Sequence, residues 1–159
     1  GHQGSVVIDA DALHALAAHN HIKKPAKATW IMTPHSGEFA RLSKNNGSIL
    51  EQCVEYAQER QTILVLKGSP AIVATPAGET YLSPNTTRAM ATAGTGDVLA
   101  GMIAGFLAQG MDPIDAALCA LLGGELAARR YCTTRCFRSM VATDIIAQLP
   151  YVLRNESAD

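Results

Sequence analysis

Three short apolar runs, each ending abruptly in a polar residue, constrain the fold of this chain more than any other feature. Ser5-Val6-Val7-Ile8 stops at Asp9, Trp30-Ile31-Met32 stops at Thr33-Pro34-His35, and residues 62–66 stop at Lys67-Gly68. Each reads as a strand buried on both faces. The stretches between them have helical spacing. Residues 12–19 are rich in Ala and Leu, and Ser48-Ile49-Leu50-Glu51 has the order of a capping box, followed by Cys53, Val54 and Ala57 on the same stripe. Strands alternating with helices predict an α/β fold with a mainly parallel sheet. In such sheets ligands bind beyond the C-terminal strand ends. Asp9, Asp11, His35 and Lys67 all fall there, which predicts one site rather than three.

The second half of the chain carries its own punctuation. Residues 71–74 and 80–82 flank Pro76-Ala77-Gly78-Glu79, which predicts a hairpin. A polar loop over 83–92 leads to Gly94-Thr95-Gly96-Asp97. There a helix begins with Val98, Leu99, Met102, Ile103, Phe106 and Leu107 on one face, closed by Gly110. Asp112-Pro113 opens the next helix, and Thr143 or Asp144 caps a last one ending near Leu149-Pro150.

Composition narrows the function classes. The 159 residues suffice for one domain with a real core, 1–159, and are too few for two. The formal net charge of -1 and 17% charged residues exclude a basic nucleic-acid surface and a polybasic membrane anchor. No apolar run approaches the roughly 20 residues of a membrane helix. The first residues lack the basic-then-apolar order of a signal peptide, so a cytoplasmic protein with reduced thiols is expected. Cys132 and Cys136 have the spacing to share a helix face, but no second ligand pair accompanies them for zinc.

Four segments carry candidate chemistry. In Gly94-Thr95-Gly96-Asp97, small residues let backbone N–H groups approach a ligand, and the helix N-terminus adds a positive dipole end. That combination suits a phosphate or a developing oxyanion. Asp97 either caps the helix or handles a proton on a substrate hydroxyl beside the phosphate. Lys67-Gly68-Ser69-Pro70-Ala71 is either a solvated turn or a point-charge contact to a nucleotide phosphate. His35 and Glu38, in Thr33-Pro34-His35-Ser36-Gly37-Glu38, are either structural or part of a site. Asp9 and Asp11 could hold Mg2+ through water, or Asp11 could simply cap the following helix.

Taken in order, Val7-Ile8-Asp9-Ala10-Asp11-Ala12-Leu13, Thr33-Pro34-His35-Ser36-Gly37-Glu38-Phe39, Val65-Leu66-Lys67-Gly68 and the segment from Met90 to Gly101 resemble the bacterial ADP-dependent NAD(P)H-hydrate dehydratases. These are relatives of the ribokinase-like kinases. The resemblance implies a three-layer αβα fold and a repair reaction on hydrated NADH or NADPH. ADP or ATP, with Mg2+, would phosphorylate the ring hydroxyl, and loss of phosphate would regenerate the dihydronicotinamide. It implies Asp97 as catalytic base, His35 and Asp97 at the hydrated dinucleotide, and Lys67, Gly68, Ser69, Pro70, Ala71 and Gly96 at the nucleotide. Gly94, Thr95 and Gly96 would face the transferred phosphoryl group. The family tends to form homo-oligomers.

The chain departs from the family pattern in four places. Ala71 replaces a hydroxyl residue, Asn85-Thr86-Thr87-Arg88-Ala89 replaces an Asn-Pro-Gly-like turn, and Ser36 stands where Pro is common. The N-terminal strands of the family domain, and any fused epimerase region, have no counterpart here, so a fragment with an exposed edge at Val6–Ile8 is expected. The competing expectations are a ribokinase-like thiazole or hydroxymethylpyrimidine kinase, and a nucleotide-binding remnant without turnover.

Overall fold

The structure, a computed structural model, describes residues 4–19, 21–44, 46–83 and 87–154. Its centre is a five-stranded sheet in the order β1 (Ser5–Ile8), β2 (Thr29–Met32), β3 (Ile63–Leu66), β4 (Ile72–Ala74) and β5 (Thr80–Leu82). β1, β2 and β3 pair in parallel, with Val7 beside Ile31 and Ile31 beside Ile63. β4 runs antiparallel to both of its neighbours, so β5 points the same way as β1 to β3. The sheet is therefore mixed but mainly parallel. β1 lies at its edge, as the sequence predicts.

Strand alternation divides the core into two sides. Ile8, Trp30, Met32, Leu64 and Leu66 face α1 (Asp11–Ala18), α2 (Ser36–Leu42) and α3 (Ile49–Arg60), which supply Leu13, Leu16, Phe39, Cys53 and Tyr56. Val7, Ile31, Ile63, Val65 and Val73 face α4 (Thr95–Ala108) and α5 (Pro113–Cys132), which supply Leu99, Met102, Ile103, Ala116, Ala117 and Ala120. A third cluster joins α5 to α6 (Ala142–Val152) through Ala127, Ala128, Tyr131 and Ile145. Helices on both faces make the three-layer αβα fold, and explain why all four residues of β3 are buried. No helix among the described residues is long and apolar enough to cross a membrane.

The two sides are packed differently. Against α1 to α3 the side chains are large, and Phe39 meets Tyr56 edge-to-face at 5.7 Å. Against α4 and α5 they are mostly small, so the helices approach closely. A methyl group on Gly123 would sit 3.1 Å from the Met102 Cε.

Several local expectations hold. Ser48 and Glu51 form the capping box of α3, and Asp112 caps α5 with Pro113 behind it. Gly78, at φ 89°, turns the β4–β5 hairpin, and Gly110 follows α4 at φ 84°. Others need correction. Asp11 does not cap α1. It is the first helical residue, and Ala10 precedes it at φ 48°, so strand turns into helix across Asp9 and Ala10 alone. Neither Thr143 nor Asp144 is the cap of α6. The helix starts one residue earlier, and the Asp144 carboxylate reaches back to accept the Val141 N–H at 2.8 Å. It also continues through Pro150 to Val152, because a proline in the last turn forfeits only one backbone bond. Cys132 and Cys136 do not share a helix face, since α5 ends at Cys132 and Cys136 precedes the 3-10 turn Phe137–Ser139. The polar loop over 83–92 contains a 3-10 turn, Arg88–Ala91. Asn85 and Thr86 of that segment lie outside the described residues.

Candidate functional site

The strand ends bring the polar residues together. Lys67, just past β3, donates its Nζ to Asp9 Oδ1, just past β1, at 2.8 Å. The same Nζ lies 3.9 Å from Glu38 Oε2. A parallel bridge joins His35 to Lys67, and the Lys67 N–H donates to the Pro34 carbonyl at 2.8 Å. Lys67 is thus not a solvated turn lysine. Its side chain is 22% exposed and held between two carboxylates. Asp11, exposed on α1, takes no part in this cluster.

His35 serves both structure and surface. Its Nδ1 accepts the N–H groups of Gly37 and Glu38 at 2.9 and 3.2 Å, while its own N–H donates to Glu38 Oε2 at 2.7 Å. This capping box is made by an unusual residue, because histidine is outside the common cap set. With Nδ1 accepting, the neutral ring carries its proton on Nε2. Nε2 lies 3.6 Å from Glu38 Oε1 on a side chain that is 59% exposed. The imidazole therefore presents an N–H outward.

The Gly-rich loop meets the cluster from the other side of the sheet. Gly94 takes φ 85°, the left-handed region that glycine adopts without strain, and stands at the N-cap of α4 with no side-chain cap. Thr95 Oγ1 donates inward to the carbonyls of Met90 and Thr92, at 3.0 and 2.9 Å. A methyl group on Gly96 would sit 3.3 Å from Lys67 Nζ and 3.9 Å from Asp9 Oδ2. Asp97, the third residue of α4, is exposed and does not cap the helix. The first-turn amides of α4 therefore open toward a positioned ammonium group.

Behind this cluster lies a cavity of about 110 Å3 between the strand ends, α4, α5 and α6, with Lys67, Gly68, Gly96, Leu99, Leu121 and Ile145 in its wall. Ala71 also lines it and is 2% exposed, and its N–H donates to Ser83 Oγ at 2.9 Å. A nearby hydroxyl is thus present despite the alanine. Ser69 and Pro70 are exposed in the turn between β3 and β4. Of the two charged residues in this wall, the sequence singled out Lys67 and not Glu125, a buried carboxylate on α5. In sequence it reads only as an ordinary i, i+4 partner of Arg129, because its other partner, Thr87, is 38 residues away.

Among the described residues no group of three or more His, Cys, Asp and Glu could hold a metal ion. Asp9 and Glu38, the carboxylates beside Lys67, are both engaged with it. That donor set fits Mg2+ carried largely by phosphate oxygens and water, the usual mode for this ion, and not a cage built by the protein.

The NAD(P)H-hydrate dehydratase family model matches residues 1–151. The chain is 46% identical over 151 residues to the bifunctional NAD(P)H-hydrate repair enzyme Nnr of Salinibacter ruber, covering 92% of this chain and 28% of that protein. It is 44% identical to the enzyme of the same name from Moorella thermoacetica, covering 96% and 30%. Among solved structures, the ADP/ATP-dependent NAD(P)H-hydrate dehydratase of Bacillus subtilis, co-crystallised with ATP and Mg2+, superposes with a TM-score of 0.83 at 32% identity, covering 94% of this chain and 55% of that one. The chain spans less than a third of the two curated relatives and about half of the structural one. Matched by the family model over residues 1–151, and on the same fold as a solved dehydratase, the chain belongs to the NAD(P)H-hydrate dehydratase family.

Proposed function

We propose that this chain carries the nucleotide- and phosphate-handling part of an ADP-dependent (S)-NAD(P)H-hydrate dehydratase, a lyase that repairs hydrated NADH and NADPH. The observation that carries this reading is the meeting of Gly96 with the Lys67–Asp9 pair, within 3.3 Å of the ammonium for an added methyl group. An open helix N-terminus facing a held cation is a site for a transferring phosphoryl group, whose charge needs positioning and neutralising more than covalent chemistry.

In this reading the phosphates of ADP or ATP lie against the 67–71 turn and Gly96, and the base extends into the apolar cavity. Gly68, Ser69, Pro70 and Ala71 shape the turn, and Lys67 supplies the charge. The Gly94, Thr95 and Gly96 amides receive the transferred group. His35 donates from Nε2 to the hydrated dinucleotide. Asp97, exposed at the mouth and free of capping duty, takes the proton of the ring hydroxyl as its oxygen attacks phosphorus. The carbon–oxygen bond then breaks, phosphate leaves with the electron pair, and loss of a ring proton restores the dihydronicotinamide. Mg2+, when bound, neutralises phosphate charge. The family match favours this reaction over a kinase releasing a stable phosphoester. Soluble substrates suit a cytoplasmic setting, and self-association into homo-oligomers is part of the proposal.

The test is an assay of the purified chain with hydrated NADH, Mg2+ and ADP or ATP, read by the absorbance of regenerated dihydronicotinamide. A rise that needs nucleotide and is lost in Asp97→Asn supports the reading and names the donor. A folded chain that yields phosphorylated substrate and no NADH overturns it in favour of a kinase. Nucleotide binding with no turnover of either kind leaves a binding remnant.

A further inference from the structure

We propose that Glu125, on α5 and outside the residues assigned above, is a positioning residue that sets the 94–97 loop against Lys67. The inference rests on reading that loop as the phosphate-facing element. Glu125 is 5% exposed and lines a cavity whose wall is otherwise mostly apolar. A buried carboxylate is costly unless it is hydrogen-bonded, and packing alone gives no reason to keep one there. Its two oxygens accept the Thr87 N–H at 3.2 and 3.1 Å, and Arg129 Nε donates to Oε1 at 2.7 Å.

Thr87 is the residue from which the path to the loop begins. It precedes the 3-10 turn Arg88–Ala91, and its carbonyl accepts the Met90 N–H at 3.0 Å. Thr92 Oγ1 closes back onto the Ala89 carbonyl at 2.9 Å. The Met90 and Thr92 carbonyls in turn receive Thr95 Oγ1. Thr95 is the first residue of α4, with Gly96 and Asp97 immediately after it. A hydrogen-bonded path thus runs from a buried charge on α5 to the N-terminus of α4. Charge-assisted bonds are the strong members of such networks, and a partly dismantled network is costly. Met90 and Gly96 stand with Glu125 in the wall of one cavity, so a shift at Thr87 moves both the wall and the loop.

The test compares Glu125→Leu, Glu125→Gln and Thr87→Pro. Leu deletes the acceptor, and Gln keeps an acceptor oxygen but drops the charge. Pro deletes the Thr87 donor at φ -71°, which proline adopts, and leaves α5 untouched. ADP affinity is measured by titration calorimetry, and turnover of hydrated NADH in parallel. Circular dichroism and a cooperative melt establish that each variant is folded.

Glu125→Leu and Thr87→Pro are expected to weaken ADP binding about tenfold each, the scale of one lost charge-assisted bond, with Glu125→Gln between them and the parent. Glu125→Gln combined with Thr87→Pro should lose less than the sum of the two single losses, because both act on the Glu125–Thr87 contact. Should Glu125→Leu fail to fold, the other two variants read the same contact. Folded variants that bind ADP as the parent does, or a double variant whose losses simply add, overturn the proposal. A parent that binds ADP but does not turn over defeats the dehydratase reading and leaves the affinity comparison decisive. A parent that binds no ADP overturns both.

Discussion

Two helix N-termini flank Lys67, and they are built in opposite ways. α2 begins with its orphan N–H groups already satisfied, since His35 Nδ1 accepts two of them and Glu38 returns the favour to the His35 N–H. α4 begins at a glycine with no side-chain cap. Each has a glycine as its second residue, yet the neighbours differ. A methyl group on Gly37 would meet the imidazole of its own cap at 2.9 Å, whereas one on Gly96 would meet a cation from a different strand at 3.3 Å. The helix whose first-turn donors are taken by its own cap has none to spare for a ligand. The helix left open has donors to offer an anion. Capping and binding compete for the same amides, and in the proposed reading one helix serves each.

That contrast can be broken by substitution. The largest expected effect is at the open end. Asp97→Asn should lower dehydratase turnover about a thousandfold, the scale of a lost general base, with ADP affinity nearly unchanged. Equal losses in turnover and ADP affinity would move Asp97 out of the proton-handling role. Gly96→Ala comes next. The added methyl displaces the ammonium from Asp9 and narrows the approach to the amides, so ADP binding should weaken about tenfold while the melt barely moves. A drop in melting temperature with unaltered affinity would make Gly96 a packing residue.

At the closed end the currency changes to stability. His35→Ala should destabilise the protein by about 1 kcal/mol through loss of the cap, measured by urea unfolding. His35→Asn restores an acceptor, so it should recover that stability without recovering the affinity for hydrated NADH that Nε2 supplies. Recovery of both would confine His35 to capping.

The smallest effect is nil at neutral pH. Burial on the closed side pushes the Cys53 thiol up from 9.0 to about 11. The folded state therefore favours the neutral thiol. Its contribution is fully present below pH 9 and is lost as pH rises from about 9 to about 11. Tyr56, also raised chiefly by burial, acts with the same sign. Unfolding free energy should fall over that alkaline window, and Cys53→Val should flatten part of the fall.

Much of this was legible in the sequence, for physical reasons that differ by region. β1, β2 and β3 show as apolar runs because both sheet faces are covered, and α3 and α5 announce themselves by Ser48 and Asp112. The convergence of Asp9, His35 and Lys67 follows from strand ends in a parallel sheet. What stayed hidden depends on contacts between distant residues or on unusual local choices. The Lys67–Asp9 pair spans 58 positions, and nothing local at Lys67 separates it from a solvated turn lysine. Ala10 at φ 48° leaves no trace in composition, so Asp11 reads as a cap when it is already helical. A histidine cap falls outside the residues that usually mark a helix start, and Glu125 reads as a plain helical partner of Arg129 because its contact with Thr87 is distant in sequence.

The bridge between His35 and Lys67 has one further consequence. It continues the β2–β3 pairing three residues past Met32 and one past Leu66, so the backbone separation beneath the imidazole and the ammonium is set by strand spacing. Loops ordinarily carry functional groups on tethers that swing with thermal motion. Here the two groups ride on a common rigid gauge. In the proposed reading, a ligand that touches both meets two anchor points whose backbone separation is held by the sheet.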